Sequence, residues 1–124
     1  MIIRTIEEIV GTERDVSGGG WRSRRLLRRD DGMNFSFHWT EVRAGTELDL
    51  QYQAHLEGNL CVGGEGEVVD LATQAVHQLR PGVMYALDKN DHHLVRAKTD
   101  LTLVCVFWPA LAGAETHNAS GGYE

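Results

Sequence analysis

An imidazole and a carboxylate stand two residues apart in "HLEGNLCVGGEGEV", residues 55–68, where His55 and Glu57 flank a leucine. Residues of like parity on a strand project to one face, so both side chains can enter the same cavity. Together they suit a divalent first-row ion with nitrogen and oxygen preference, such as iron, manganese or zinc. Two ligands are too few, and "YALDKNDHH" supplies further candidates in Tyr85, His92 and His93. The same pair also fits the wet face of an ordinary hairpin strand, since polar residues at i and i+2 are common by chance. Spacing alone leaves both readings open.

Other polar groups offer other chemistry. "WRSRRLLRR" at 21–29 carries Arg22, Arg24, Arg25, Arg28 and Arg29. A nucleic-acid interface would need further basic surface around this run, and the chain has 18 acidic residues against 12 basic, a net charge of -6. Most of these arginines are therefore expected in solvent, with at least one binding a carboxylate through its rigid fork. A small anionic substrate fits better than a phosphate backbone. In the tail "FWPALAGAETHNASGGYE", Glu115 and His117 fall outside any expected strand. They belong either to a solvated loop or to a segment that covers a barrel mouth and lends an acid/base pair. "GGEGE" at 63–67 lacks the G-x-G-x-x-G spacing and no helix follows it, so nucleotide binding there is excluded. Neither a Walker-type "GK[ST]" nor a "GxSxG" elbow occurs.

These groups must be positioned by strands. Short runs rich in β-branched, aromatic or aliphatic residues occur at 24–28, 33–40, 47–54, 59–63, 65–71, 76–79, 83–87, 92–97 and 101–107. Turn signals separate them, the pattern of an all-β barrel or sandwich. Only residues 4–10 suggest helix, one or two turns with Ile6, Ile9 and Val10 on a stripe. "VSGGGW" at 16–21 reads as a flexible loop. In "MNFSFHWT" Met33, Phe35, Phe37 and Trp39 face one way and Asn34, Ser36, His38 and Thr40 the other. "LTLVCVFWP" is apolar on both faces, which marks a central strand ended by Pro109. Pro81-Gly82 and "DKND" at 88–91 are turns, and Gly63-Gly64 turns the chain back into the next strand.

With 124 residues, 42% of them hydrophobic, the chain reads as one globular domain. Charges close to Met1 exclude a signal peptide and a membrane span there. Cys61 and Cys105 lie in apolar runs and are expected as buried thiols in a reducing cytoplasm.

Several long strings resemble one family. "GTELDLQYQAHLEGNLCVGGEGEV", "LRPGVMYALDKNDHHLVRA", "LTLVCVFWPALAGAETH", "DDGMNFSFHWT" and the W-x-S-x-R-L-L of 21–27 are similar to the ectoine synthases of the cupin superfamily. The likeness runs from Met1 to about His117. It departs at Gly58-Asn59, where the family often has a small apolar or aromatic pair, at Trp39, in segment 68–79 and in the final "GGYE".

The resemblance implies an all-β fold: a small cupin-type β-barrel (a double-stranded β-helix, or jelly roll) with a short N-terminal helical turn, residues 1–124 forming a single domain. It further implies a cytoplasmic homodimer, with neither nucleic acid nor membrane as partner. The implied activity is a carbon–oxygen hydro-lyase that uses Fe2+ to close N4-acetyl-L-2,4-diaminobutyrate into ectoine. Glu57, Tyr85 and His93 are the implied metal ligands, and His55 becomes a neighbour of the site rather than a ligand. Trp21, Arg25, Thr40, Tyr52, Phe107, Glu115 and His117 match substrate positions, with Glu115, His117 and Tyr52 as the proton-transfer groups. Gly64, Leu87, Pro109 and Gly113 match as structural positions. The other readings are a non-catalytic small-molecule-binding cupin and a related cupin lyase acting on another acylated amino acid.

Overall fold

The structure is a computed structural model that describes residues 1–112 and Gly122. After a one-turn helix α1 (Ile6–Ile9) come β1 (Asp15–Gly18), β2 (Trp21–Leu27), β3 (Ser36–Val42), β4 (Glu47–Leu50) and β5 (Leu56–Gly63). β6 (Gly66–Asp70), β7 (Ala75–Leu79), β8 (Met84–Leu87), β9 (His93–Ala97) and β10 (Leu101–Trp108) complete the order. Antiparallel pairing sorts the strands into one sheet ordered β1-β2-β3-β10-β5-β8 and a second ordered β4-β9-β6-β7. Side chains from both inner faces meet in one core that includes Val42, Leu50, Val68, Leu79, Val95, Leu101, Leu103 and Phe107. Each such side chain fully buried contributes about 1.5–3 kcal/mol.

Alternation along the strands decides what enters the barrel. On β2 the residues Trp21, Ser23 and Arg25 are buried while Arg22 and Arg24 lie outward. On β3 the polar set turns inward: Ser36 and His38 are buried, and Phe37 and Trp39 lie on the outer face. β10 is central, between β3 and β5, and ends at Trp108 before Pro109.

Four local expectations need correction. "VSGGGW" is not a loose loop but the tight β1–β2 hairpin, with Gly18 opposite Trp21. Gly20 takes the left-handed backbone (φ +81°), and a Cβ on Gly18 would come within 2.5 Å of the Trp21 indole. Three glycines in a row signal such a turn and a flexible linker equally well. Second, Gly63-Gly64 does not form a hairpin, because β5 and β6 belong to different sheets. The chain crosses between sheets there, with Gly64 at φ +79° and room for no Cβ against the Asp100 carbonyl. The turns at Pro81-Gly82 and at 88–91 are likewise crossings, while β6–β7 is a true hairpin. Turn chemistry is the same whether a chain folds back on its own strand or changes sheet. Third, β4 stops at Leu50 rather than residue 54. Fourth, β3 starts at Ser36 and β5 at Leu56, against expected starts of 33 and 59.

A polar staple ties the N-terminal segment to the turn after β2. Asp31 accepts from Arg4 Nη2 at 2.7 Å, from Arg14 Nη1 and Nη2 at 2.9 and 3.1 Å, and from the Arg28 backbone N–H at 2.9 Å. Burial pushes this carboxyl up, but the Arg14, Arg28 and Arg4 donors more than offset it and hold it well below the usual range. Thr5 and Glu8 cap α1 reciprocally.

Candidate active site

Strand register lines up inward-facing side chains in rows across the larger sheet. One row runs Arg25, His38, Cys105, Asn59, Tyr85, each opposite the next on neighbouring strands. Beside it, Ser36, Phe107, Glu57 and Leu87 form a second row, and Ser23, Thr40, Leu103 and Cys61 a third. These rows face the smaller sheet across a cavity of about 40 Å3. Trp21, Thr40, Tyr52, Glu57, Tyr85 and Phe107, all expected site residues, line it together with Ser23, His38, Asn59 and Cys105. A wider cleft of about 440 Å3 lies among Glu65, Glu67, Arg80, Arg96 and Lys98. Its Arg96 is already paired with Glu47 and Glu67, which leaves the barrel interior as the better site for chemistry.

The three expected metal ligands come from both sheets, Glu57 and Tyr85 from β5 and β8 and His93 from β9. His93 donates from Nδ1 to the Asp91 carbonyl at 2.9 Å. Its Nε2 therefore carries the lone pair, and that atom is buried without a hydrogen-bond partner. Burial lowers the His93 pKa, which favours the neutral ring. Burial also pushes the Glu57 carboxyl from its ordinary 4.5 up to about 8. The Tyr85 residue is half-buried, yet burial of its phenol, with the Glu57 charge beside it, raises its pKa well above the usual range. A neutral imidazole with a fixed lone pair on one sheet, facing a carboxyl and a phenol on the other with no cation beside Glu57 among the described residues, can serve a divalent metal once the two acids release their protons. No cluster of three His, Cys, Asp or Glu occurs among the described residues, so the phenol is needed to complete the set. His92 is turned outward, with Nε2 2.5 Å from Asp49.

His55 precedes β5, so strand parity alone does not explain its placement. It is buried, donates from Nδ1 to the Pro109 carbonyl at 2.8 Å, and sets its ring edge-on to Phe107 at 6.2 Å. Phe107 is opposite Glu57 in register, which makes His55 a support one residue removed from the donor set. Tyr52 packs edge-on against Phe107 at 5.1 Å and tilted to His93 at 6.1 Å.

Arg25 is fully buried and donates from Nε to Ser23 Oγ at 3.4 Å. Arg29 is exposed as expected, but Arg22, Arg24 and Arg28 are half-buried and paired. Arg22 pairs with Asp15, Arg24 with Glu41, and Arg28 with Asp30 and Glu13. Strand alternation explains the division, because acidic residues sit beside the outward positions and Arg25 alone of the strand's three arginines turns inward. Glu115, His117 and Gly113 lie outside the described residues.

Sequence reasoning missed Ser23, His38, Asn59 and Cys105. Ser23 Oγ lies 3.2 Å from His38 Nδ1. That hydroxyl also accepts from Arg25 Nε, and it exchanges a hydrogen bond with the His38 ring in the direction the tautomer sets. His38 Nε2 is buried and without a partner. Burial, then the Arg25 charge, holds the His38 pKa well below its usual value. Parity with Thr40 and with Glu57 was the available signal for His38 and Asn59.

The model of the family described as "Ectoine synthase" matches residues 1–124. The L-ectoine synthase of Desulfosudis oleivorans is 51% identical over 125 residues, covering 100% of this chain and 97% of the relative. The crystal structure of ectoine synthase from P. lautus aligns at a TM-score of 0.91 with 44% identity, covering 98% of this chain and 87% of that one. A cupin 2 conserved barrel domain protein from Salinispora arenicola aligns at a TM-score of 0.70 with 20% identity, over 87% of this chain and 88% of that one. The last shares the fold alone, and both solved structures agree with the all-β cupin barrel.

Proposed function

The chain belongs to the ectoine synthase family, and we propose that its barrel cavity closes N4-acetyl-L-2,4-diaminobutyrate into ectoine around one Fe2+ held by Glu57, Tyr85 and His93. The activity class, a hydro-lyase of ectoine biosynthesis, comes with the family at about half identity over the whole chain. The observation that carries the metal assignment is His93 Nε2, buried without a hydrogen-bond partner, facing two acids on the other sheet, with no cation beside Glu57 among the described residues.

The residues divide the work. Bound there, Fe2+ supplies a Lewis acid for the acyl carbonyl oxygen. Arg25, at the far end of the row from Tyr85, takes the substrate carboxylate. Trp21 and Phe107 wall the cavity, keep water from a reaction whose reverse is a hydrolysis, and hold the chain bent for six-membered ring closure. The α-amine loses a proton and its lone pair attacks the carbonyl carbon. The tetrahedral carbon then expels its oxygen as water and is left as C=N. Tyr52, Glu115 and His117 are the assigned carriers of the protons for these two steps.

The assignment extends to a single domain over residues 1–124, a cytoplasmic osmoprotectant pathway and a homodimer. Two free, buried cysteines support a reducing compartment. Leu56, Leu60, Val62, Met84 and Trp108 are exposed on the outer face of β5, β8 and β10, an apolar surface suited to a second copy. The test is anaerobic incubation of the iron(II)-supplied protein with N4-acetyl-L-2,4-diaminobutyrate. Ectoine, identified by mass and retention, is the expected product; ligand binding with no product would make the protein a non-catalytic binding cupin.

A further inference from the structure

Asn59 stands out among the cavity residues because both polar atoms of its amide are buried without a partner. It is 3% exposed, and neither its oxygen nor its nitrogen has a hydrogen-bond partner. Native interiors leave few buried amides in this state, and each one calls for a missing partner. Packing does not require an amide there. Cys105, on the β10 side, already directs its Sγ toward Thr40 Oγ1 at 3.6 Å and the Leu103 carbonyl at 3.9 Å. On the other side stands Tyr85. The Asn59 amide is near enough to Glu57 to favour its charged form, yet without the geometry of a hydrogen bond. An aliphatic side chain would fill the position without leaving polar atoms unpaired.

We infer that Asn59, where the family often has an apolar or aromatic residue, gives this chain an added hydrogen bond to the secondary amide of the substrate and so sharpens its selection of an acyl group carried on nitrogen. This rests on the reaction proposed above. In the polar row Arg25 stands at one end and Tyr85 at the other, with Asn59 next to Tyr85 and two residues from Glu57. A substrate with its carboxylate at Arg25 and its acyl carbonyl at the Glu57, Tyr85 and His93 end brings its amide N–H to Asn59. The Asn59 oxygen accepts that N–H, and its NH2 group remains to donate toward the Glu57 carboxylate. Ring closure turns the amide into a cyclic amidine, whose nitrogen carries more positive charge than an amide nitrogen. The N–H bond to Asn59 therefore strengthens as the reaction proceeds, which helps turnover as well as binding.

The experiment compares wild type with Asn59→Leu, nearly equal in volume, and with Asn59→Ala. In each, kcat/KM for the acetylated diaminobutyrate is measured along with inhibition by O-acetyl-L-homoserine, which has an ester oxygen in place of the N–H. The two variants are expected to lose about tenfold or more in kcat/KM, the usual worth of a buried hydrogen bond to substrate. They are also expected to lose the wild type's preference for the amide over the ester, while the metal-free Asn59→Leu protein melts at the same temperature or higher. Unchanged kcat/KM and unchanged amide preference would overturn the inference. So would a fall in melting temperature in both variants with amide preference intact, which would assign Asn59 to the fold. If wild type itself forms no ectoine, the reaction fails rather than the role of Asn59.

Discussion

The carboxylates of Asp31 and Glu57 are both shielded from water, and their surroundings push them in opposite directions. Asp31 is met by two arginines and a backbone N–H and stays charged far below the usual range. Glu57 has no cation beside it among the described residues, and burial raises it to about 8. One cluster is completed by the chain itself and holds the N-terminal segment in place. The other is incomplete: His93 Nε2, His38 Nε2 and the Asn59 amide are buried without hydrogen-bond partners. Unpaired polar groups cost stability, so their concentration on the inner faces of the two sheets points to what the barrel must acquire. Paired groups build this fold, and unpaired ones mark its function.

Opposite pKa shifts require opposite pH slopes, and this gives the largest expected effect. Between 4.5 and about 8 the metal-free folded protein keeps the Glu57 proton that the unfolded chain has released. Its stability therefore falls as pH rises through that window, by on the order of several kcal/mol. Iron(II) displaces the proton, so metal affinity rises over the same range. Denaturant melts of metal-free protein at a series of pH values read this slope, and Glu57→Gln is expected to flatten it. Asp31 behaves in reverse: its contribution is present above 3.8 and is lost as pH falls below it. Asp31→Asn leaves Arg4 and Arg14 without their shared anion and is expected to cost about 3 kcal/mol near neutral pH. Its kcat should match wild type. A loss of turnover with no loss of stability would erase the contrast between the two clusters.

Legibility in the sequence followed the same division. Period-two alternation put Thr40 and Glu57 on usable faces, because parity is a local property, whereas Trp21 and Arg25 came only from the resemblance. The central place of β10 was legible from its double apolar face. Gly63-Gly64 misled, since a change of sheet depends on partners distant in the chain. The direction of β3 was also hidden: an aromatic stripe ordinarily turns inward, but here Phe37 and Trp39 lie outside while Ser36 and His38 are buried, His38 against the cavity. His93 joins Glu57 only because β9 belongs to the facing sheet, a fact that no spacing carries. The resemblance supplied that pairing.

The most direct test of the contrast is iron(II) content and cyclase activity, measured anaerobically in wild type, Glu57→Gln, Tyr85→Phe and His93→Gln. Wild type is expected to bind one iron per chain and to form ectoine. Each variant should lose the iron and at least about a hundredfold in turnover, while its metal-free form melts no lower than metal-free wild type. Variants that keep wild-type iron and activity, or that lose activity only because they unfold, would contradict the account.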